Sequence, residues 1–300
     1  MLPVACWFQI WASTRVPAQS ISLRMRFWLP RAALCCLALG WLEAPAQTYI
    51  LASPDSTLNT GGWSLSSANL SGFRSAITNP VYFGPSGTVP VTISITDLST
   101  INSSTLSGVN GFIEPWWPNN DAQPYESQAM TNAVVAAFHS GMDLWLLEDD
   151  SNHNALGTAL GLVASPADGT VSNGTRPLFS GPFGTATNTA TYGNFSYFDS
   201  ATIASLGGTI IGTNASGQAT AVYWQRGAFA AGSGALIVFS DVDMISNWQQ
   251  NPYSPTLNAN GILALNTMDT LAAVPEPGTW ALLATGLSSL LLMASRRRRL

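Results

Sequence analysis

Three hundred residues with a formal net charge of −5, a pI near 4.8 and only 9% charged side chains make an acidic, sparsely charged chain. It has no lysine, and between residues 47 and 274 Arg74, Arg176 and Arg226 stand against 14 carboxylates, a balance that repels nucleic acid and excludes it as a partner. Cys6, Cys35 and Cys36 all precede residue 47, so the remainder has no disulfide, no thiol nucleophile and no zinc site of cysteine type.

In chain order, residues 1–24 read as an upstream extension ahead of Met25. Arg24, Arg26 and Arg31 make a basic start, Ala32 to Leu42 a short apolar run, and Ala44-Pro45-Ala46 a cleavage site of small residues. Residues 25–46 are therefore expected to be a signal peptide, cut by signal peptidase between Ala46 and Gln47. Leu34 stands where a lipoprotein needs a small residue before Cys35, which argues against lipidation. Residues 47–273 are long enough for one domain with a substantial core.

Thr48–Ala52 and Val91–Ile95 have weak strand character. Val109-Asn110-Gly111-Phe112-Ile113 reads as a strand ending at Glu114, and Pro115 to Asp121 as a loop. A helix is expected from about Pro124 to His139, because Ala129, Met130, Ala133, Val134, Ala137 and Phe138 recur at spacings of three and four. Gly141 ends it, and His139 complements its dipole. Leu144-Trp145-Leu146-Leu147 is continuously apolar, as in a strand covered on both faces, which completes a βαβ unit. Ala167 to Gly217 reads as an insertion of hairpins or loops without a helix. Tyr223-Trp224-Gln225-Arg226 alternates like a strand, and Arg226 is available to pair with an acid. Ala235–Phe239 is a second strong strand, and Asn258 to Leu271 a helix with Ile262, Leu265, Met268 and Leu271 on one face.

These elements predict an α/β domain, an open and mostly parallel sheet with helices on both faces. The rival, an all-β sandwich, is disfavoured by the helix over 124–139. The segments Phe138 to Leu147, Gly234 to Asp243 and Asn258 to Asn266 resemble the class I glutamine amidotransferase-like fold, of flavodoxin type. That family places a catalytic cysteine on the turn after the strand corresponding to Leu144–Leu147. Here the turn is Glu148-Asp149-Asp150-Ser151-Asn152-His153-Asn154, with no cysteine, so that chemistry is absent. Ser151 and His153 lack the surroundings of a nucleophile elbow, and no residue is assigned a catalytic role.

Ligands of open α/β sheets bind at the carboxyl ends of strands. Glu114, Asp149, Asp150, Asp241 and Asp243 fall at or just past such ends, with Trp116 and Trp117 beside them. Carboxylates in a thiol-free setting suit calcium as a cofactor, or the hydroxyls of a sugar stacked on the indoles. The plainer reading is that they cap strand ends and solvate loops.

The tail, 274–300, stacks three parts. Pro275-Glu276-Pro277 cannot continue a helix and stays extended. Residues 279–294 carry no charge and are expected to form a short membrane helix. Arg296–Arg299 hold the end on the cytoplasmic side. In that order these parts resemble the PEP-CTERM sorting signal of Gram-negative bacteria. The resemblance implies processing by an exosortase near Pro275, Glu276 and Pro277. It also implies a precursor anchored in the inner membrane and a final place at the cell surface or outside, often among exopolysaccharide. The expected function is that of a non-catalytic exported surface or matrix protein. The alternatives are a carbohydrate- or calcium-binding adhesion module and a divergent hydrolase using the acidic crevice.

Overall fold

The computed structural model describes residues 47–117, 126–148, 155–162, 164–167, 173–174, 179–187, 189, 195–247, 258–273 and 286. The signal segment, Asp149, Asp150, Ser151, His153, Pro275–Pro277 and the expected membrane helix over 279–294 lie outside them. Among the described residues no helix is long and apolar enough to cross a membrane.

Strand β1 (Gln47–Pro54) leads to helix α1 (Ser71–Ile77), then β2 (Val91–Leu98) and β3 (Gly111–Glu114). Helix α2 (Gln128–His139) crosses to β4 (Asp143–Leu147), and the short α3 (Ala155–Ala159) follows. The next stretch holds β5 (Ala164–Ala167), β6 (Asn173–Gly174), β7 (Ser180–Gly181), β8 (Gly184–Thr185) and β9 (Phe195–Phe198). Helix α4 (Ser200–Ser205), β10 (Thr209–Thr213), β11 (Ala219–Trp224), β12 (Leu236–Phe239) and α5 (Ala259–Ala272) complete the domain.

The main sheet has the order β2-β1-β3-β4-β12-β11-β10-β6, with β9 on β11 and β5 on β9. β2, β1, β3, β4 and β12 are parallel, whereas β11 and β10 run antiparallel to their neighbours. The α/β class with a mostly parallel sheet is thus the observed one, with an antiparallel margin supplied by the later strands.

Alternation along the central strands explains the two layers. Trp145, Leu147, Ile237 and Phe239 face the side covered by α1 and α5. Leu144, Leu146, Leu236 and Val238 face α2, α3 and α4. Both faces are buried, so these strands read as continuous apolar runs. Trp145 meets Phe73 and Phe239 edge-on, with centroids 5.4 and 5.5 Å away. Such pairs contribute about 0.5–1.5 kcal/mol each beyond buried area.

Three details differ from the sequence reading. Helix α2 starts at Gln128 rather than near Pro124, because Ser127 takes the N-cap and its Oγ accepts from the Met130 N–H at 3.3 Å. The stretch from Ala167 to Gly217 does contain a helix, α4, opened by Asp199, whose carboxylate accepts from the Thr202 N–H at 2.8 Å. Helix α1 was not expected at all; its seven residues are too few to display a period, although Phe73, Ala76 and Ile77 are buried. The helix ending at His139 closes as expected, with Gly141 in the left-handed region at φ 108°.

Candidate functional site

Strands β3, β4 and β12 end together, and alternation decides where their last side chains point. Phe112, Leu146 and Val238 face α2, so Glu114, Glu148 and Ser240, two residues further along, fall on that same side. The crossover brings the start of α2 over this edge, with Glu126 two residues before it. Glu114 and Glu148 are 6% and 4% exposed. Burial first, then the charge of Glu126, a hydrogen bond to it and the charge of Glu148, hold the Glu114 carboxyl well above the usual carboxylate range.

Two buried hydroxyls share the neighbourhood. Ser240 Oγ and Thr131 Oγ1, the latter in the first turn of α2, have no hydrogen-bond partner, and neither has one oxygen of Glu126. Strand β9 closes over the edge, where Ser196 Oγ donates to the Glu148 carbonyl at 2.9 Å. Carboxyls and unpartnered hydroxyls at the ends of these strands can receive and offer hydrogen bonds. Of the two histidines, His139 lies at the far end of α2, and His153 is outside the described residues.

Asp241 and Asp243 belong to a turn just past β12. Asp241 Oδ1 accepts from the Asp243 N–H at 2.7 Å, and Ser246 Oγ donates to Asp243 Oδ1. Burial pushes the Asp243 carboxyl up to about 6, against the lowering effect of Ser246. Trp116 packs edge-on against Trp63, centroids 5.5 Å apart, in the layer of α1 and α5. Trp117 is 5% exposed and sits in the opposite layer, so the adjacent indoles do not form one stacking platform. Among the described residues no three His, Cys, Asp or Glu side chains are grouped to hold a metal ion.

The other edge of the sheet holds a second polar centre. Asp143, fully buried at the start of β4, accepts from the Ala235 N–H at 2.7 Å, from Tyr49 Oη at 3.0 Å and from Arg226 Nη2 at 2.7 Å. Tyr49 reaches it from β1 across β3, and only Gly111 leaves room, since a Cβ there would overlap the phenol oxygen. Burial raises the Asp143 carboxyl, with Arg226, Ala235 and Tyr49 opposing that rise. Arg226 also donates to the Gly141 carbonyl at 3.0 Å. Its partner is thus an acid at the amino end of a strand, none of the crevice candidates.

Sequence reasoning passed over Glu126, Glu148, Thr131 and Ser240. The signal for Glu148 and Ser240 was available, because each directly follows an apolar run whose alternation fixes its side. Thr131 and Glu126 depend on where α2 begins, which the capping Ser127 determines.

The family described as the PEP-CTERM protein-sorting motif matches residues 273–299. The chain therefore carries an exosortase sorting motif, which marks an exported precursor anchored in the membrane. No curated protein matches the chain. Among solved structures, a ThuA-like protein from Bacteroides uniformis is 10% identical, with a TM-score of 0.46 over 79% of this chain and 96% of that one. The cytoplasmic protein STM1381 from Salmonella typhimurium is 6% identical, with a TM-score of 0.44 over 75% and 100%. An exo-beta-1,4-mannosidase from an Opitutaceae bacterium is 11% identical, with a TM-score of 0.43 over 74% of this chain but only 35% of its own length. Similarity at this level describes a coarse layout of strands and helices and says nothing of chemistry.

Proposed function

We propose that the protein is a non-catalytic component of the cell surface or extracellular matrix. In this reading signal peptidase removes residues 25–46, and an exosortase then cuts near Pro275-Glu276-Pro277. The α/β domain is left outside the inner membrane, in the company of exopolysaccharide. The observation that carries the reading is the sorting motif over 273–299. The richness of the domain in Ser, Thr, Asn and Gly supports it, because such a composition suits a solvated surface outside the cell. The absence of any cysteine after residue 36 supports the non-catalytic part, since the nucleophile of the fold's amidotransferases is missing.

The test is to express the full chain in cells with and without an exosortase and to identify its C-terminus in envelope and medium. The expected result is a chain ending close to Pro277 only where the exosortase is present. A chain that still ends at Leu300 in both strains overturns the proposal. A second reading, a hydroxyl- or calcium-binding module at the carboxyl edge, draws on the unpartnered hydroxyls of Ser240 and Thr131. A calcium-dependent rise in melting temperature would favour it over the first.

A further inference from the structure

We propose that the exported chain begins at Gln47 and that this glutamine closes on its own α-amine to a pyroglutamate lactam, leaving a processed protein without a primary amine. The inference rests on the export reading above and adds a covalent modification to it.

The structure bounds the cut from one side. Strand β1 begins at Gln47, which pairs in parallel register with Val91. Gln47 and Thr48 are exposed, whereas Tyr49 is 1% exposed and holds Asp143. A cut at or beyond Tyr49 would strip a buried phenol from the core and unpair a buried carboxylate. From the other side, Ala44-Pro45-Ala46 supplies the small residues that signal peptidase needs. The two constraints meet at the Ala46–Gln47 bond.

The chemistry then requires no partner. The freed α-amine attacks the carbon of the side-chain carboxamide. A carbon–nitrogen bond forms, giving a five-membered ring; the carboxamide carbon–nitrogen bond breaks, and a proton passes to the leaving ammonia. Nothing is oxidised or reduced. The ring locks φ of residue 47 much as proline does and keeps one N–H. Neither effect disturbs the strand, because Gln47 is its first residue and the buried positions begin at Tyr49. The consequence is unusual only because of composition. With no lysine in the chain, the α-amine is the sole primary amine after cleavage, and closing the ring removes it.

The experiment recovers protein from exporting cells that express the full chain, and reads its intact mass, both termini and its labelling by an amine-reactive reagent. The expected result is a chain starting at residue 47, lighter than the linear form by one ammonia and unlabelled until treated with pyroglutamate aminopeptidase. Gln47→Ser, which leaves the exposed start of β1 intact but cannot cyclise, should be labelled at one site. A chain starting at Gln47 with a free amine overturns the lactam and leaves export standing. A chain starting at another residue overturns the site. Retention of residues 25–46 overturns the inference and the signal cleavage together, and the C-terminus read in the same sample reports separately on the sorting cut.

Discussion

The two edges of the sheet handle buried charge in opposite ways. At the amino edge, Asp143 is matched by a guanidinium, a phenol and a backbone N–H, each within 3.0 Å. At the carboxyl edge, the buried Glu114 feels the charges of Glu126 and Glu148, which with burial hold its carboxyl well above the usual carboxylate range. The first arrangement fixes the register of β1, β3 and β4 and couples the β11–β12 connection to them. The second leaves hydroxyls and a carboxylate oxygen unmatched in the interior, a state that costs stability unless something else supplies the partner. One edge is a fastening; the other has capacity to spare.

The comparison can be broken most forcefully at Asp143. Asp143→Ala leaves Tyr49 Oη and the Ala235 N–H buried without an acceptor, and should cost about 2–6 kcal/mol in denaturant unfolding, at about 1–3 kcal/mol for each unsatisfied group. A loss below about 1 kcal/mol would mean that water replaces the carboxylate. Next in size, Gly111→Ala should cost about 1–3 kcal/mol, because its methyl group collides with the tyrosine crossing above it. Combining it with Tyr49→Phe, which removes the colliding oxygen, should recover part of the loss.

The carboxyl edge is tested by pH. Glu114 and Asp243 both have folded-state pKa values above their ordinary ones, so the folded protein binds more protons than the unfolded chain. For Asp243 the window runs from the ordinary carboxylate range to about 6. Stability should therefore fall as pH rises through that window, giving a higher melting temperature at pH 5 than at pH 7.5. Glu114→Gln and Asp243→Asn should each flatten that slope. A melting temperature that instead rises between pH 5 and 7.5 would contradict the upward shifts of these two carboxyls. The smallest effect belongs to Arg74, whose fork grips Asp97 in an exposed pair at 2.7 and 2.8 Å. Arg74→Ala should cost about 0.2–1 kcal/mol, and less in high salt.

How much of this was legible in the sequence depended on length and burial. The unit β3–α2–β4 and the pair β12–α5 were readable because doubly covered strands leave unbroken apolar runs and α2 repeats over several turns. Helices α1 and α4 were not, since seven and six residues display too little period, although Asp199 did offer a capping signal for α4. The carboxyl edge was half legible. Glu114 could be placed from its strand, but the rise of its carboxyl depends in part on Glu126, which comes near only through the crossover. Trp116 and Trp117, neighbours in sequence, are sent to opposite layers by the chain beyond β3. The pairing of Arg226 with Asp143 joins residues 83 apart and could not be told from pairing with any other acid.

The scarcity of cations also has a consequence for endoproteolysis. A protease that selects basic residues needs one in an exposed, pliable segment. Arg74 lies within α1 with its guanidinium held by Asp97, and Arg226 is tied to Asp143 and to the Gly141 carbonyl. Arg176, outside the described residues, is followed by Pro177, a poor junction for such cleavage. Folded, the described part of the domain offers trypsin-like enzymes almost nothing to grasp, so its resistance to them is governed by how rarely the sheet opens.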